Sequence, residues 1–291
     1  MVAKAGARLV FMTSGYQALR HGAAWLDLSA RGRIIARGRD RVRFLHNVTS
    51  NDVKKMAPGD SCYAFLLSPQ GRIVADLYLV CRADHFLIDT EPETREKARA
   101  QILRYKVADQ IELEDVTETT VAIGVEGPKS EAIEPPVAAR PECWHGLKMP
   151  PITETGQPGY RIYAAAEDKA EIMRAVEAAG AVAATGEEAR MVRIENGRPR
   201  YGVDILETSL PQETEQMQAV SFTKGCYIGQ EIVERIRARG HVNRHLVRLE
   251  IEGTELPVPG KQMIGEREVD VTSAVFSPEL GKVVALAYTR V

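Results

Sequence analysis

Residues 72–80 set Ile73, Ala75, Leu77 and Leu79 on one face of an extended segment and Val74, Asp76, Tyr78 and Val80 on the other. Both faces are apolar apart from one carboxylate, which predicts a strand in the middle of a sheet. Residues 62–67 form a second apolar run, and Ser68-Pro69-Gln70-Gly71 between them suits a type I turn, so the two read as a hairpin. Residues 33–36 and 85–89 read as further strands. Asp40 is placed to N-cap a helix burying Val42, Leu45 and Val48. Thr90-Glu91-Pro92-Glu93 has the form of a capping box with Pro in the first turn, predicting a helix to about residue 106.

Residues 127–160 are rich in Pro and Gly and read as loop or linker. A strand over 160–166 and a helix ended by Gly180 follow. A second capping box, Thr185-Gly186-Glu187-Glu188, opens a helix that Gly197 and Pro199 close. After residue 240 the pattern changes to short strands over 246–251, 260–264, 269–276 and 283–289. The expected class is α+β, with a mixed region over 1–240 and a small β module over 241–291.

Composition narrows the class without naming a function. With 44% hydrophobic and 27% charged residues over 291 positions, the chain is globular rather than disordered or fibrous. A net charge of −2 sets up no global field for a nucleic acid or a membrane, and no apolar run nears the roughly 18 residues of a membrane helix. Lys4, Arg8 and Arg20 without an acidic residue before Asp27 leave a mitochondrial transit segment open beside the default of a cytoplasmic protein. Cys62, Cys81, Cys143 and Cys226 show no CxxC spacing, so no zinc ribbon or other metal site is expected, and reduced thiols are the default.

Four features carry candidate chemistry. Asp76, alone in its apolar strand, is either ion-paired or functional, and burial should raise its pKa. Glu195 ends its helix, where the macrodipole disfavours a carboxylate; an exposed Glu is the plain alternative. In Lys224-Gly225-Cys226-Tyr227-Ile228-Gly229-Gln230-Glu231, two glycines frame a thiol beside a lysine and before a short helix. That setting should lower the thiol's pKa and make Cys226 reactive, although an ordinary loop with a structural cysteine also fits. Arginines crowd residues 31–43, and Arg235, Arg237, Arg239 and His241 alternate with apolar residues in a strand-like pattern with one cationic face. A solvated face or an anion site would account for either group.

The run KGCYIGQEIVERIRARGHVNR (224–244) resembles the signature of the YgfZ-type folate-binding proteins, relatives of the glycine-cleavage T-protein. LDLSARGRI (26–34), GRDRVRFLHNVTSND (38–52), SPQGRIVADL (68–77), RIENGRPRYGVD (193–204) and VTSAVFSPELGKVVALAYTR (271–290) follow the family in order. The resemblance implies two interleaved α+β subdomains and a C-terminal β-barrel around a central folate channel. It implies tetrahydrofolate as cofactor, gripped by Glu195 and Asp76, with Lys224, Gly225, Tyr227 and Arg235 completing the binding site. Where T-proteins carry two adjacent aspartates, this chain has Ala75 before Asp76.

Cys226, Asp76 and Lys224 are the residues expected to carry chemistry. The resemblance favours an accessory factor for iron–sulfur cluster assembly or repair, with cluster-dependent client enzymes, tRNA-modifying ones included, or assembly proteins as partners. A folate-dependent aminomethyl or other one-carbon transferase is the first alternative. Direct tRNA binding through the arginine segments is the second, against which the near-neutral charge weighs.

Overall fold

The computed structural model describes residues 13–134, 144–145, 153–240 and 242–290. Helix α1 (Ser14–His21) leads into strand β1 (Ala24–Asp27), and β2 (Gly32–Arg37) starts a different sheet. Helix α2 (Arg41–Val48) buries Phe44, Leu45, His46 and Val48. Asp40 precedes it but makes no side-chain cap; its carboxylate accepts instead from the Gln110 amide at 2.8 Å. β3 (Ser61–Leu67) and β4 (Ile73–Cys81) form the expected hairpin, closed by Gly71 N–H donating to the Ser68 carbonyl at 2.9 Å.

β5 (His85–Thr90) follows, and the helix expected from residue 91 starts late. A 3-10 turn over Pro92–Thr94 precedes helix α3 (Arg95–Arg104). The supposed cap Thr90 is turned inward, its hydroxyl donating to the Asp76 carbonyl at 2.8 Å, which removes it from the helix N-terminus. β6 (Glu112–Asp115) completes the sheet β3-β4-β5-β2-β6, so β4 is flanked on both sides as its two apolar faces demand.

β7 (Thr120–Glu126) returns the chain to β1, and β8 (Trp144–His145) and β9 (Gly159–Ala165) extend that sheet. Helix α4 (Lys169–Ala178) and β10 (Val182–Ala183) follow, giving the order β10-β1-β7-β9-β8. The second sheet is thus inserted in sequence between two parts of the first. Ile35, Tyr78, Val80 and Leu87 of one sheet meet Ala122 and Tyr163 of the other in one buried cluster. Helix α5 (Gly186–Glu195) opens with the capping box read from the sequence, Thr185 Oγ1 accepting from Glu188 N at 3.2 Å.

The short helix expected after the 224–229 loop is α6 (Gln230–Arg239), and it takes in Arg235, Arg237 and Arg239, whose alternation over 235–242 had suggested a strand. On a helix, positions two apart point to nearly opposite sides, so Arg235 and Arg237 do not share one cationic face. Arg237 pairs with Glu234 at 3.5 Å and lies over the Phe222 ring; His241 lies outside the described residues. The tail forms β11 (Arg244–Ile251), β12 (Gly260–Ile264), β13 (Arg267–Ser277) and β14 (Lys282–Arg290) in the order β11-β14-β13-β12. Its edge strands β11 and β12 do not pair, so among the described residues this is an open antiparallel sheet rather than the expected barrel. Leu246, Val275, Val284, Leu286 and Tyr288 pack it onto Ile194 of α5.

Candidate functional site

The centre of β4 carries Asp76, directly opposite Phe65 of β3 and buried. Tyr63 donates its hydroxyl to Asp76 Oδ2 at 2.9 Å, while Oδ1 is buried without a hydrogen-bond partner. Burial pushes the Asp76 carboxyl up, and the Arg31 guanidinium only partly offsets this. A carboxyl in this state can accept from one further N–H, or donate its own proton.

Around it lies a network of charges that sequence reasoning largely missed. Arg31 donates Nε to Asp89 Oδ1 at 2.6 Å, bonds Glu91 and stands 3.4 Å from Glu154. Arg161 of β9 and the Tyr163 hydroxyl both donate to Asp89 Oδ2, at 2.8 and 2.7 Å. Burial works against the Asp89 carboxylate, but Arg161 and Arg31 outweigh it and hold its pKa at about 2. Burial raises Glu91 to about 7, Arg31 opposing and Glu154 adding to the rise, although Arg200 stands 2.9 Å away. The readable signal was a lone Arg in the apolar run 160–165 matched by a lone Asp in the apolar run 85–89. Neither means much until the two sheets are known to face each other.

Two hollows share Arg31, Glu91, Glu154, Arg193 and Arg200 in their walls. The larger, about 650 Å³, is floored by apolar residues such as Leu26, Leu28 and Ala189. The smaller, about 20 Å³, contains Asp76 and is narrowed by Arg198, whose guanidinium donates to the Tyr78 hydroxyl. Glu195 lines neither. It is buried at the end of α5, with Oε1 accepting from the Tyr16 hydroxyl at 2.7 Å and Oε2 3.7 Å from Arg20. Oε2 has no hydrogen-bond partner. Arg20, and Arg248 donating to the Glu195 carbonyl at 2.6 Å, supply the positive charge that lets a carboxylate sit at a helix C-terminus.

The 224–231 loop closes against α2 and the β3–β4 turn. Lys224 is buried, its ammonium donating to the carbonyls of His46, Thr49 (2.6 Å) and Asn51 (2.8 Å), and burial lowers it to about 8. These are carbonyls left open at the end of α2 and just beyond it, so Lys224 caps that helix and its hydrogen bonds do not go to the neighbouring thiol. Gly229, at φ 81°, comes so close to the turn that a Cβ there would stand 2.6 Å from the Ser68 carbonyl oxygen. Tyr227 is buried under the loop, whereas Gly225, Cys226 and Arg235 are exposed. Cys62 is half-buried and Cys81 buried; Cys143 lies outside the described residues. These loop residues line neither hollow.

Comparison with known proteins places this arrangement among relatives. Residues 10–140 match the family described as the GCVT N-terminal domain. The chain is 30% identical over 297 residues to an aminomethyltransferase of Geobacillus kaustophilus, covering 94% of this chain and 81% of that protein. It is 27% identical over 299 residues to an aminomethyltransferase of Nostoc, covering 95% and 79%. In fold it is similar to the glycine cleavage system aminomethyltransferase T from Bartonella henselae, with a TM-score of 0.82 over 95% of this chain and 80% of that one, at 19% identity.

Proposed function

The chain belongs to the aminomethyltransferase family, and on that premise we propose that it binds tetrahydrofolate and transfers an aminomethyl or other one-carbon unit to it. The observation that carries this reading is the buried, half-satisfied carboxyl of Asp76, in a cleft that shares a wall with a cavity of about 650 Å³. A reduced pterin is rich in N–H donors and flat, which suits an acceptor with a free lone pair and an apolar-floored hollow of that size. Tetrahydrofolate, when bound, supplies the nitrogen that takes up the one-carbon unit. Asp76 would accept from the ring, with Tyr63 fixing its other oxygen. Glu91, poised near neutrality at the shared wall, would hold or release a proton as the reaction proceeds.

Glu195 would be a second pterin acceptor through its Oε2, which faces Arg20 but accepts no hydrogen bond, although it lies outside both hollows. Lys224, Gly225, Tyr227 and Arg235 keep a place in this proposal only as supports of the loop beside β4, since none lines either hollow.

Two features favour a second reading, the cluster accessory factor of the YgfZ type: the exposed Cys226 in its KGCYIGQE loop, and Ala75 in place of the first aspartate. Folate would then bind in the same way, and the thiol would act on iron–sulfur clients. Direct tRNA binding gains little from the arginine-rich segment: Arg31 and Arg33 are buried and bound to carboxylates and carbonyls, and the exposed Arg39 and Arg43 pair with Asp40 and Asp109. No described helix is long and apolar enough to cross a membrane.

Incubation with a methylamine-loaded lipoyl donor and tetrahydrofolate separates the two readings. Release of ammonia with formation of a one-carbon folate supports the transferase. Folate binding without turnover, together with Cys226-dependent rescue of cluster enzymes in a deletion strain, supports the accessory factor.

A further inference from the structure

At the open end of the β3–β4 hairpin, three sulfurs from separate parts of the chain come together. Cys62 is the second residue of β3 and Cys81 the last of β4. Cys62 pairs with Leu79, two residues before Cys81, so both thiols project from the same face of the sheet. The turn over 56–60 folds across this end, with Gly59 N–H donating to the Cys81 carbonyl at 2.9 Å and Cys81 N–H to the Asp60 carbonyl at 2.8 Å. That turn brings Met56 against both cysteines. Cys62 Sγ donates to Met56 Sδ at 3.6 Å, and Cys81 Sγ contacts the Met56 and Arg82 carbonyls at 3.8 and 3.7 Å. Cys81 is buried, whereas Met56 and Cys62 are half-buried and leave a way in from solvent.

Donor type and charge decide what this place can hold. Among the described residues no three His, Cys, Asp or Glu side chains converge to hold a metal, so zinc and calcium find no donor set. Two thiols and a thioether are the donors that select a soft monovalent cation such as Cu(I). A metal–thiolate bond of about 2.3 Å would set two sulfurs of a trigonal site about 4 Å apart, close to the Cys62–Met56 separation of 3.6 Å. Burial pushes the Cys62 thiol up to about 12 and raises Cys81 as well, so both stay protonated until a metal displaces the proton. Lys224 acts on Cys62, and Arg41 and Arg82 act on Cys81, with Asp52 and Asp60 opposing them. Three cations against two carboxylates leave one positive charge, which matches the single negative charge of a Cu(I) bis-thiolate.

We propose that Met56, Cys62 and Cys81 form a binding site for one soft monovalent cation, Cu(I). Each thiol gives its proton to water as its sulfur bonds the metal, and the Met56 thioether adds a neutral third bond. Copper stays at +1 throughout, so no oxidant or reductant takes part. The three residues line neither hollow, and the site does not rest on folate binding. They lie far apart in the chain, so no ligand spacing announces them.

The test uses the full chain with Cys143→Ser and Cys226→Ser, which leaves Cys62 and Cys81 as its only thiols. Cu(I) is offered in the absence of oxygen from its coloured bicinchoninate complex. The expected result is transfer of one copper per chain, with X-ray absorption showing a shell of sulfur alone. Cys62→Ala and Cys81→Ala should each abolish the transfer. Met56→Leu, which keeps the volume, should weaken it about tenfold, the scale on which a supporting group changes a metal site. Because loss of a core thiol can loosen the hairpin, the absorption spectrum of the loaded chain decides the matter where a variant loses its circular-dichroism signature. No transfer, a shell containing nitrogen or oxygen, or full transfer to a folded Cys62→Ala protein overturns the proposal.

Discussion

Arg161 Nη1 donates to Asp89 Oδ2 across 2.8 Å with both side chains fully buried, linking β9 of one sheet to β5 of the other. Replacing Asp89 by Asn leaves Arg161 and Arg31 without their shared anion, a change that costs about 3–5 kcal/mol for a buried pair. Because Asp89 is held at about 2 in the folded chain, its contribution is fully present above the unfolded carboxyl value of about 3.9. It is lost as pH falls through the folded value. Urea unfolding of Asp89→Asn should therefore show a large loss of stability at neutral pH that shrinks in strong acid.

Glu91 has the opposite sign. Its folded value of about 7 lies above the unfolded value of about 4.3, so its contribution is present in acid and is lost as pH rises through the folded value. Glu91→Gln keeps the shape and removes the titration. Stability curves of the two proteins should diverge between mildly acidic and mildly alkaline buffer, with the variant gaining on the parent as pH rises. A pH-independent difference would assign Glu91 an ordinary pKa.

Lys224 is expected to matter for stability before chemistry. Lys224→Met strips the donors from three carbonyls around the end of α2, and each buried group left unpaired costs about 1–3 kcal/mol. Chemical denaturation should show a loss of at least about 2 kcal/mol. Alkylation of the exposed Cys226 by iodoacetamide should remain faster than that of half-buried Cys62 and buried Cys81.

Arg198 crosses the cleft that holds Asp76, and its bond to Tyr78 leaves about 20 Å³ there. A ring contact with Asp76 requires that side chain to leave. Arg198→Ala should therefore bind tetrahydrofolate more tightly and faster in stopped-flow fluorescence. Weaker binding would make Arg198 a ligand contact instead.

The sequence carried the local elements well where chemistry is local. The hairpin at 68–71, the capping box at Thr185 and the four C-terminal strands all depend on neighbours in the chain. From residue 235 the alternation of Arg235, Arg237 and Arg239 with Ile236 and Ala238 mimics a strand, while the left-handed Gly229 and Gly240 bracket the helix that Gln230 begins. Thr90 failed as a cap because a tertiary partner, the Asp76 carbonyl, claims its hydroxyl. Asp76 stood out at once as one charge between two apolar faces. Arg161, Asp89, Glu91 and Glu154 did not, since their meaning comes from a contact between strands far apart in sequence. Lys224 was read as an activator of Cys226, and only the position of α2 reveals its role as a helix cap.

Calorimetric titration of tetrahydrofolate into the parent protein and into Asp76→Ala shows whether the buried carboxyl of β4 holds the pterin. Saturable binding by the parent is expected, weakened in the variant by about 1.5–3 kcal/mol, the range for a hydrogen bond to a charged group. Equal affinity for the two proteins, or no binding by the parent, would contradict it.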